Sequence, residues 1–573
     1  MKKIEISKES IGKWRVKKIA VIGAGIVGMP MAALLARARI KIGSGAPAGV
    51  TVIQRNSPTS GWKVGAVNSG RSPIGGIEPE LDRIVGEAVA GGFLKASHDY
   101  GEIRDADVIL ICVQTDKKGF APDYGPLNAA LHSASRELEK KSAEKIPLVV
   151  FESTLAPSSM TTLIREHFRK YGLEDGKDIL LGNSPNRVMP GRLVERIRSS
   201  DKIVGGLDPL TPELIRRLYS HIVTEGKLHL TNSITAELVK TLENAYRDVR
   251  IAFAAETARY CDARDIDFYR VRERVNYSLS WSDGASGEPN AVPIGGLLIP
   301  TIGVGGHCLP KDGILLLWRA IEAGKDLSRS LIMESRRIND ESPSEAIRLA
   351  ESHFGVLSGR CIALLGTSYR FDSEDTRNSP SLVLAGALRK KGNKVVLHDP
   401  FVKPDDANLR AYGLEANFTQ DAGRALNEAS IVFFCTAHRK YSDEIETIIR
   451  LGPKIEGVFD GCNLFSADRF SDAGIGYAGI GRGRNAPSEE LIRFVCEGFT
   501  ALERGFANEI QDFIDFANSR FAADDFNRLD YREVKRIAGT CVTGCRMLDP
   551  GRIKAIPAYN DFNPRLLSPL TYT

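Results

Sequence analysis

The chain has 573 residues, a formal net charge of +5 and a hydrophobic fraction of 43%. This length exceeds what one hydrophobic core supports and predicts about two to four domains. The net charge is small and Lys and Arg are not clustered among aromatic residues, which argues against a nucleic-acid-binding protein. No apolar run approaches the about 18 residues of a membrane span, and nine scattered Cys residues do not resemble the disulfide framework of a small secreted domain. We therefore expect a cytoplasmic protein without a membrane segment or a signal peptide.

The first recognisable pattern predicts a strand, a glycine turn and a helix. An apolar, β-branched run at residues 19–22 leads into a G-x-G-x-x-G turn formed by Gly23, Gly25 and Gly28. The first glycine permits the tight turn, the second lets the backbone approach a pyrophosphate, and the third lets the helix pack on the strand. This pattern predicts a dinucleotide-binding Rossmann domain, which we place at residues 1–210.

The second predicted strand, Gly49 to Ile53, is followed by Gln54, Arg55 and Asn56. A dinucleotide site usually has Asp or Glu at this position to bind the ribose hydroxyls. The Gln54 amide can still hydrogen bond to a ribose hydroxyl, whereas the Arg55 guanidinium can bind a 2′-phosphate. The residues themselves therefore leave both NAD and NADP open as the cofactor.

The rest of the N-terminal domain continues the alternation of strands and helices. Apolar, β-branched runs lie at residues 107–113 and 147–151, with helical segments between them. This alternation predicts a parallel sheet with right-handed crossovers.

The middle of the chain has a different pattern. Residues 211–274 show helical periodicity without a strand-like run, and Thr235 to Ala263 predicts one extended helix. A Gly- and Pro-rich stretch, residues 282–306, predicts a long loop, and such loops are often functional. We assign residues 211–345 to a central helical domain.

A second block of alternating strands and helices follows, at residues 346–485. Its strand-like runs lie at residues 360–370, 394–400, 431–437 and 457–463. The predicted fold class is therefore α/β, with two Rossmann-like doubly wound domains joined by a long-helix central domain. Residues 486–573 form a C-terminal extension of unknown role that begins as an amphipathic helix, Glu489 to Phe521. Cys541 and Cys545 in this extension have no second Cys or His pair nearby, so we expect two unrelated thiols and no metal site.

The strongest chemical pattern is T-I-G-V-G-G-H-C-L-P-K-D at residues 301–312. The glycines around Cys308 let backbone and substrate approach the sulfur, and Asp312 follows four residues later. A structural Cys usually lies in an apolar run, so this setting favours a nucleophilic thiolate. Lys240 and Asn244 lie four residues apart on the predicted long helix, which places an ammonium and an amide on one face.

Eight motifs in order, from about Lys17 to Gly483, resemble the UDP-glucose/GDP-mannose dehydrogenase family. They are GAGIVGMPMA (23–32), NSGRSPIGGIEPELDRIV (68–85), FESTLAPSSM (151–160), SPNRVMPGR (184–192), AELVKTLENAYRDV (236–249), GVGGHCLPKD (303–312), GTSYRFDSEDTRNSP (366–380) and GIGRGR (479–484). The form GVGGHC, with SPNRVMPGR upstream, resembles the branch that acts on UDP-N-acetylhexosamines. The Pro-Lys-Asp that follows Cys308 is closer to the UDP-glucose branch.

The resemblance implies an NAD-dependent, four-electron oxidation of the C6 hydroxyl of a UDP-N-acetylhexosamine, with UDP-N-acetylmannosamine ahead of UDP-N-acetylglucosamine. Cys308 is implied to trap the aldehyde, and a second hydride transfer then produces a thioester that water hydrolyses. Lys240 and Asn244 are implied to stabilise the oxygens that develop negative charge at C6. Asp312 and Thr154 are implied to position or activate the water.

The resemblance also implies binding residues and a homodimer or higher homo-oligomer that forms through the central helix. The implied cofactor contacts are Gly23, Gly25, Ile26, Val27, Gly28, Gln54, Arg55, Thr115 and Thr154. The implied nucleotide-sugar contacts are Asn186, Arg187, Lys240, Asn244, Arg274, Gly305 and Arg377. Of these, Arg377 suits a diphosphate through bidentate hydrogen bonds, and Arg274 is implied to be donated across the dimer interface.

One position departs from the family pattern. Asn186 stands where the family's S-P-E motif has Glu, and an amide can orient water but cannot accept a proton at neutral pH. Three alternatives stay open: a UDP-glucose or GDP-mannose 6-dehydrogenase, a nucleotide-sugar-binding protein with impaired turnover, and an incomplete catalyst that stops at the aldehyde or the thioester. The retention of Cys308 beside Lys240, Asn244 and Asp312 favours the enzyme, because binding alone does not require a thiol.

Overall fold

The computed structural model describes residues 14–76, 78–142, 145–188, 190–281, 295–541, 545–556 and 559–570. The chain forms two compact units, each assembled from separate parts of the sequence. The first contains Met1–Glu243, Ile314–Lys325 and Gln511–Arg546; the second contains Asn244–Gly313, Asp326–Ile510 and Met547–Thr573. The C-terminal extension is therefore divided between the two units. Among the described residues, no helix is long and apolar enough to cross a membrane.

Within the described residues, eight strands form the sheet of the first unit. They are β1 Lys18–Ile22, β2 Gly49–Ile53, β3 Leu94–Ser97, β4 Val108–Ile111, β7 Leu148–Phe151, β8 Leu180–Asn183, β9 Lys202–Gly206 and β10 Leu228–Asn232, and a short hairpin adds β5 Asp116–Lys118 and β6 Ala121–Asp123. Their spatial order is β10-β9-β8-β7-β4-β1-β2-β3. Neighbouring strands run parallel except β8 and β9, which are antiparallel. The predicted parallel sheet is thus confirmed over most of its width.

One sequence-based prediction about this sheet is wrong. Residues 211–274 were expected to lack a strand, but β10 pairs with β9 along its whole length, from Leu228 to Asn232. The first three residues of β10 are only partly buried or exposed, and the strand lies at the edge of the sheet. A short edge strand has no continuous apolar run, which explains why the pattern did not reveal it.

Helices connect and cover the strands. In chain order they are α1 Gly28–Arg37, α2 Trp62–Asn68, α3 Leu81–Ala90, α4 Gly125–Leu138, α5 Arg165–Arg169, α6 Leu193–Ser199, α7 Thr211–Tyr219, α8 Ser233–Asp262, α9 Phe268–Ser278, α10 Leu309–Glu322, α11 Leu331–Phe354, α12 Pro380–Lys390, α13 Ala407–Ala411, α14 Ala422–Leu426, α15 Arg439–Asp443, α16 Ile445–Leu451, α17 Asp468–Ser471, α18 Glu489–Asn518 and α19 Tyr531–Ala538. The long helices α8 and α18 confirm the helices predicted at 235–263 and 489–521. Of the loop predicted at 282–306, residues 282–294 lie outside the described residues, and the rest forms no helix or strand.

The sheet of the second unit is parallel throughout. Its strands are β11 Cys361–Leu365, β12 Lys394–His398, β13 Phe418–Thr419, β14 Ile431–Phe434, β15 Gly457–Asp460 and β16 Gly476–Gly479, in the spatial order β13-β12-β11-β14-β15-β16. In both sheets the first strand lies between later ones, so a crevice opens where the strand order reverses. This order confirms the prediction of two doubly wound domains.

Both sheets are covered on both faces. Along β1, Ile19 and Val21 belong to one buried apolar cluster, whereas Ala20 and Ile22 belong to the opposite one. Alternate side chains of β11 divide between two clusters in the same way. Such near-continuous apolar strands are typical of parallel sheets with helices on both sides.

The C-terminal extension is packed into each unit. In the second unit, Phe499 and Phe506 of α18 contact Phe253 and Tyr246 of α8, with ring centroids 6.0 and 5.4 Å apart. In the first unit, the Asn232 side chain at the end of β10 donates hydrogen bonds of 2.9 and 2.8 Å to the carbonyls of residues 526 and 528. The extension therefore makes contacts within both units.

Candidate active site

The glycine loop after β1 has the geometry of a phosphate-binding turn. Gly23 has a φ of +103°, and a Cβ there would lie 2.6 Å from the Cys112 carbonyl oxygen. A Cβ on Gly28 would lie 2.0 Å from the Gly23 carbonyl oxygen. In contrast, a Cβ on Gly25 would meet nothing within 4 Å. Packing therefore requires the first and third glycines, while the second borders open space where a phosphate can approach the backbone at the start of α1.

The side chain at the end of β2 is held against this glycine loop. The Gln54 Oε1 atom accepts a 2.9 Å hydrogen bond from the Ala24 amide, and its Nε2 atom donates to the Ser60 hydroxyl at 3.0 Å. Arg55, the next residue, is exposed. The predicted ribose ligand Gln54 thus connects two loops of the protein, and Arg55 is the side chain that faces solvent.

The loops after β4 and β7 are joined near the same edge of the sheet. The buried Thr115 hydroxyl donates to the Thr154 carbonyl at 2.7 Å, and the Ser153 hydroxyl donates to the Val113 carbonyl at 2.6 Å. The first loop follows the carboxyl end of β4, which pairs with β1, and the second follows β7, which pairs with β4. Doubly wound sheets bind their cofactors at this edge. Thr115 and Thr154, both predicted cofactor residues, are therefore adjacent.

The predicted substrate residue Asn186 belongs to a buried polar cluster that we call the Glu152 cluster: Glu152, Asn186, Lys202 and Tyr219. Glu152 accepts hydrogen bonds from the Lys202 ammonium at 2.8 Å, from the Asn186 amide and from the Tyr219 hydroxyl. Lys202 also donates to the Asn186 Oδ1 atom at 3.1 Å, so both ends of this amide are used. Burial lowers the pKa of Lys202, and the attraction of Glu152 opposes that shift. The Glu152 carboxylate therefore has a cation and two further hydrogen-bond donors as partners, all from within the cluster.

Arg187, the next residue, is bound by the C-terminal extension. Its guanidinium donates to the Glu243 carboxylate at 2.5 Å, to the Thr540 hydroxyl at 2.8 Å and to the Ile537 carbonyl at 3.0 Å, and its side chain is 3% exposed. Burial raises the pKa of Glu243, while the charges of Arg187 and Lys240 oppose this shift. Sequence patterns did not indicate Thr540, because no recognised motif extends past residue 484.

Cys308 lies in the second unit directly before α10. The residue is exposed, and its carbonyl accepts hydrogen bonds from the amides of Lys311 at 3.1 Å and Asp312 at 2.9 Å, which caps the helix. The exposed Cys308 residue therefore lies at the N-terminus of α10, the end of a helix whose dipole stabilises negative charge.

The glycines before Cys308 are required by close packing. A Cβ on Gly305 would lie 2.5 Å from the Tyr369 Cβ atom, and one on Gly306 would lie 2.8 Å from the Tyr369 ring. The Gly306 amide donates to the Arg377 carbonyl at 2.8 Å, and the Asn378 side chain donates to the Gly306 carbonyl at 3.0 Å. Burial raises the pKa of Tyr369 to about 12. The loop that carries Gly305, Gly306 and Cys308 is thus held against the loop that follows β11.

Asp312 and Asn244 are in direct contact. The Asn244 amide donates to the Asp312 Oδ2 atom at 2.6 Å, and the Lys311 ammonium donates to Oδ1. Asp312 and Lys311 are fully buried, whereas Asn244 is half-buried. The second unit therefore brings together Cys308, Asn244 and Asp312. The other two predicted catalytic residues belong to the first unit: Thr154, and Lys240, which lies one helical turn before Asn244 on α8.

The two predicted arginine ligands of the second unit have carboxylate partners. Arg377 donates through Nε to the Asp375 Oδ1 atom at 2.9 Å and through Nη2 to Oδ2 at 2.5 Å, and its side chain is 31% exposed. Arg274 pairs with both oxygens of Glu489 at 2.6 Å. Glu489 is the first residue of α18, so the extension also orients this arginine. Among the described residues, no group of three or more His, Cys, Asp or Glu side chains is arranged to hold a metal ion.

Three profiles of one family match the chain in order. The profile of the UDP-glucose/GDP-mannose dehydrogenase NAD binding domain matches residues 17–223, that of the central domain matches 234–341, and that of the UDP binding domain matches 363–467. The chain belongs to this family. It is therefore an NAD-dependent nucleotide-sugar dehydrogenase, which confirms the predicted family, enzyme class and cofactor.

The similar proteins match this chain over nearly their whole length. The UDP-N-acetyl-D-mannosamine dehydrogenase of Pyrococcus horikoshii is 31% identical over 473 residues, which are 81% of this chain and 99% of that protein. The NDP-N-acetyl-D-galactosaminuronic acid dehydrogenase of Ralstonia nicotianae is 29% identical over 467 residues, 79% of this chain and 98% of that protein. The crystal structure of an NDP-N-acetyl-D-galactosaminuronic acid dehydrogenase from Methanosarcina mazei has a TM-score of 0.66 at 30% identity, covering 82% of this chain and 96% of that chain.

Proposed function

We propose that this dehydrogenase oxidises the C6 hydroxyl of a UDP-N-acetylhexosamine to a carboxylate, in two steps linked by a thioester on Cys308. The observation that carries the proposal is the setting of Cys308, which is exposed, preceded by tightly packed glycines and placed directly before α10. A structural thiol requires neither exposure nor a glycine loop, whereas a nucleophile that must meet a sugar carbon requires both.

The reaction proceeds through the aldehyde. The C6 hydroxyl first loses a hydride and a proton, and the Cys308 thiolate then forms a bond to C6 of the resulting aldehyde. The carbonyl oxygen becomes the oxyanion of a thiohemiacetal, and loss of a second hydride from C6 leaves a thioester. NAD, when bound, would accept the hydrides, and the loop with Gly23, Gly25 and Gly28 would hold it with backbone amides and room at the start of α1.

Lys240 and Asn244 stabilise the oxyanions. They lie one turn apart on α8, so their side chains share a face of the helix. The Asn244 amide gives one N–H to Asp312, which leaves its second N–H for the substrate oxygen. A positive charge and a neutral donor on one face suit an oxygen that gains negative charge in the transition state.

We assign the hydrolysis step to Asp312. Water attacks the thioester carbon, Asp312 receives a proton from that water, and the Cys308 thiolate leaves. Asp312 lies one turn after Cys308 on α10, and Asn244 and Lys311 hold its carboxylate in place. Asn186 is committed to Glu152 and Lys202, which supports a structural role for it. Assistance from Thr154 stays a prediction.

The names of the relatives support the proposed substrate class. Those from Pyrococcus horikoshii and Ralstonia nicotianae are named for N-acetylated sugar nucleotides, which supports an N-acetylhexosamine here, with UDP-N-acetylmannosamine ahead of UDP-N-acetylglucosamine. For the diphosphate we propose Arg377, because Asp375 uses its Nε and Nη2 atoms and leaves the Nη1 donors. Substrate binding by Asn186, Arg187, Arg274 and Gly305 stays a prediction. The homodimer also stays a prediction, and light scattering after size-exclusion chromatography measures the mass of the assembly.

The test is a spectrophotometric assay at 340 nm with NAD and a panel of UDP- and GDP-sugars, in which the reduced cofactor per sugar is also measured. We expect two molecules of NADH per molecule of sugar and a preference for one UDP-N-acetylhexosamine. A preference for UDP-glucose or GDP-mannose would correct the substrate. Absence of NADH with every sugar contradicts the proposed function and favours the nucleotide-sugar-binding alternative.

The covalent step is tested with Cys308→Ser and the matched control Cys496→Ser, a half-buried thiol on α18. We expect Cys308→Ser to form no uronate while its dissociation constants for NADH and the UDP-sugar stay within about twofold of wild type. The control is expected to retain activity. Normal uronate formation by Cys308→Ser contradicts the thioester mechanism.

A further inference from the structure

The segment after β2, residues 54–63, consists of a loop and the first two residues of α2. It is positively charged, which is unusual for a segment that binds the adenosine ribose of NAD. An NAD site usually carries a carboxylate at the end of the second strand, which binds the ribose hydroxyls and repels a 2′-phosphate. Here the first acidic residue after Ile53 is Glu78, and the intervening stretch contains Arg55 and Lys63. The chain therefore lacks a carboxylate at the end of β2, the position from which it would repel a 2′-phosphate.

Hydrogen bonds hold this segment against the glycine loop that contains Gly23, Gly25 and Gly28. Gln54 connects the Ala24 amide to the Ser60 hydroxyl, at 2.9 and 3.0 Å. The Ser60 and Ser57 hydroxyls are 2.7 Å apart, and Ser60 is also bound through its backbone amide to the Ser57 hydroxyl at 3.2 Å. Two hydroxyl groups therefore lie together beyond the carboxyl end of β2, on the side of the sheet edge where the dinucleotide binds.

Two cations flank these hydroxyls. Arg55 is exposed, and its charge reaches Tyr100, where it opposes the rise in pKa that burial causes. Lys63 donates a 3.1 Å hydrogen bond to the Ala24 carbonyl, so its ammonium lies at the glycine loop itself. Within the described part of the chain, neither cation forms an ion pair with a carboxylate. Both charges are thus available to an anion.

We propose that residues 54–63 form a subsite for the 2′-phosphate of NADP, so that the dehydrogenase binds NADP as well as NAD. Arg55 donates parallel N–H groups to the phosphate oxygens, a geometry that suits a guanidinium. The pair of Ser57 and Ser60 adds one hydroxyl donor, because the hydrogen bond between them uses the other hydrogen, and Lys63 neutralises further negative charge. Gln54 joins this segment to the glycine loop.

The test measures binding without turnover, so its outcome does not depend on the sugar substrate. Isothermal titration compares adenosine 2′,5′-bisphosphate with adenosine 5′-monophosphate, which differ only in the 2′-phosphate. We expect the wild type to bind the bisphosphate at least about tenfold more tightly, as one charge-assisted contact provides. We expect Arg55→Glu to remove this preference and to change the affinity for the monophosphate by less than about threefold.

The matched control is Arg37→Glu, which reverses an exposed charge at the last residue of α1, the end of that helix away from the glycine loop. It is expected to keep the preference, and thermal melting checks that both variants are folded. Equal affinity of the wild type for the two nucleotides overturns the proposal. An unchanged preference in Arg55→Glu, or an equal loss of affinity for both nucleotides, overturns it as well.

Discussion

Each compact unit buries a carboxylate beside a lysine and an asparagine, but the two clusters differ in the cysteine that accompanies them. In the Glu152 cluster the nearby thiol is Cys112, which is buried. Burial raises the pKa of Cys112 well above its usual range, and the charge of Glu152 raises it further. That thiol therefore stays protonated at neutral pH and is a poor nucleophile.

The cluster of the second unit has nearly the same side chains in a different setting. Asp312 pairs with Lys311 and Asn244, but its cysteine, Cys308, is exposed at the start of a helix. Asn244 is half-buried, whereas Asn186 is buried and its Oδ1 atom already accepts from Lys202. The comparison teaches that residue types do not separate a structural cluster from one that we propose to be catalytic. The accessibility of the thiol and of the asparagine amide differs between the two clusters.

The largest expected effect concerns the Glu152 cluster and is on stability. Glu152→Ala leaves the Lys202 ammonium buried without its counter-charge, so we expect the free energy of unfolding to fall by about 3–5 kcal/mol. Urea denaturation measures it. The double variant Glu152→Leu with Lys202→Met is the control, because it removes both charges and is expected to recover most of the loss. Leaving one buried polar group without its partner already costs about 1 kcal/mol or more. If Glu152→Ala lowers the free energy of unfolding by less than about 1 kcal/mol, the cluster is not a structural ion pair.

The corresponding change in the second unit is expected to affect chemistry. Asp312→Asn removes the proton acceptor, so we expect thioester hydrolysis to slow by about 10²–10³-fold while the acyl group accumulates on Cys308. Rapid quenching followed by intact-protein mass spectrometry detects the adduct. Hydrolysis at the wild-type rate would assign the base to another residue, and Asp312→Glu is the conservative comparison.

A third prediction separates the two interpretations of Asn186. Asn186→Glu places a second carboxylate beside Glu152 with one lysine for both, and it removes a donor to Glu152. We therefore expect the free energy of unfolding to fall by about 1–3 kcal/mol without any gain in the rate of uronate formation. Chemical denaturation and the steady-state rate are measured together. A faster hydrolysis step would instead mean that the missing glutamate limits this enzyme.

A smaller effect is expected where the extension contacts the first unit. Thr540→Val removes the hydroxyl that accepts from Arg187 but preserves the shape of the side chain. We expect a loss of about 1–2 kcal/mol, because the other partners of Arg187 remain. The urea midpoint measures the change, and Thr500→Val on the exposed side of α18 is the control. Equal effects of the two variants would contradict a specific contribution of the Arg187–Thr540 hydrogen bond to stability.

The smallest prediction concerns Glu237, which accepts hydrogen bonds from the amides of Ser158 at 2.6 Å and Met160 at 2.8 Å. Burial raises the pKa of Glu237 to about 8, above its ordinary value of 4.5. The folded state therefore holds this proton more tightly than the unfolded state, and the resulting stability is complete below about pH 4.5 and is lost as pH rises through about 8. Unfolding measured between pH 4.5 and 8.5 should show a shallower decline for Glu237→Gln, and an unchanged pH profile would contradict the assignment.

Much of the site was predictable because its signals are local. Gly23, Gly28, Gly305 and Gly306 mark places where the backbone turns or packs so closely that a side chain does not fit, and such requirements are visible within a few residues of sequence. The spacing of Lys240 and Asn244 similarly follows from helical geometry alone. The strand β10 was missed because a partly exposed edge strand has no distinctive pattern.

The amino-acid sequence by itself determined the family, the two doubly wound sheets, the glycine loop and the candidate nucleophile Cys308. Only the tertiary structure decided the partners of the polar side chains. Asn186 and Lys202 meet Glu152 from 34 and 50 residues away, and Arg187 meets Thr540 across 353 residues. The physical reason is that backbone conformation depends mainly on near neighbours, whereas burial, pairing and exposure depend on which distant segments the folded core brings together.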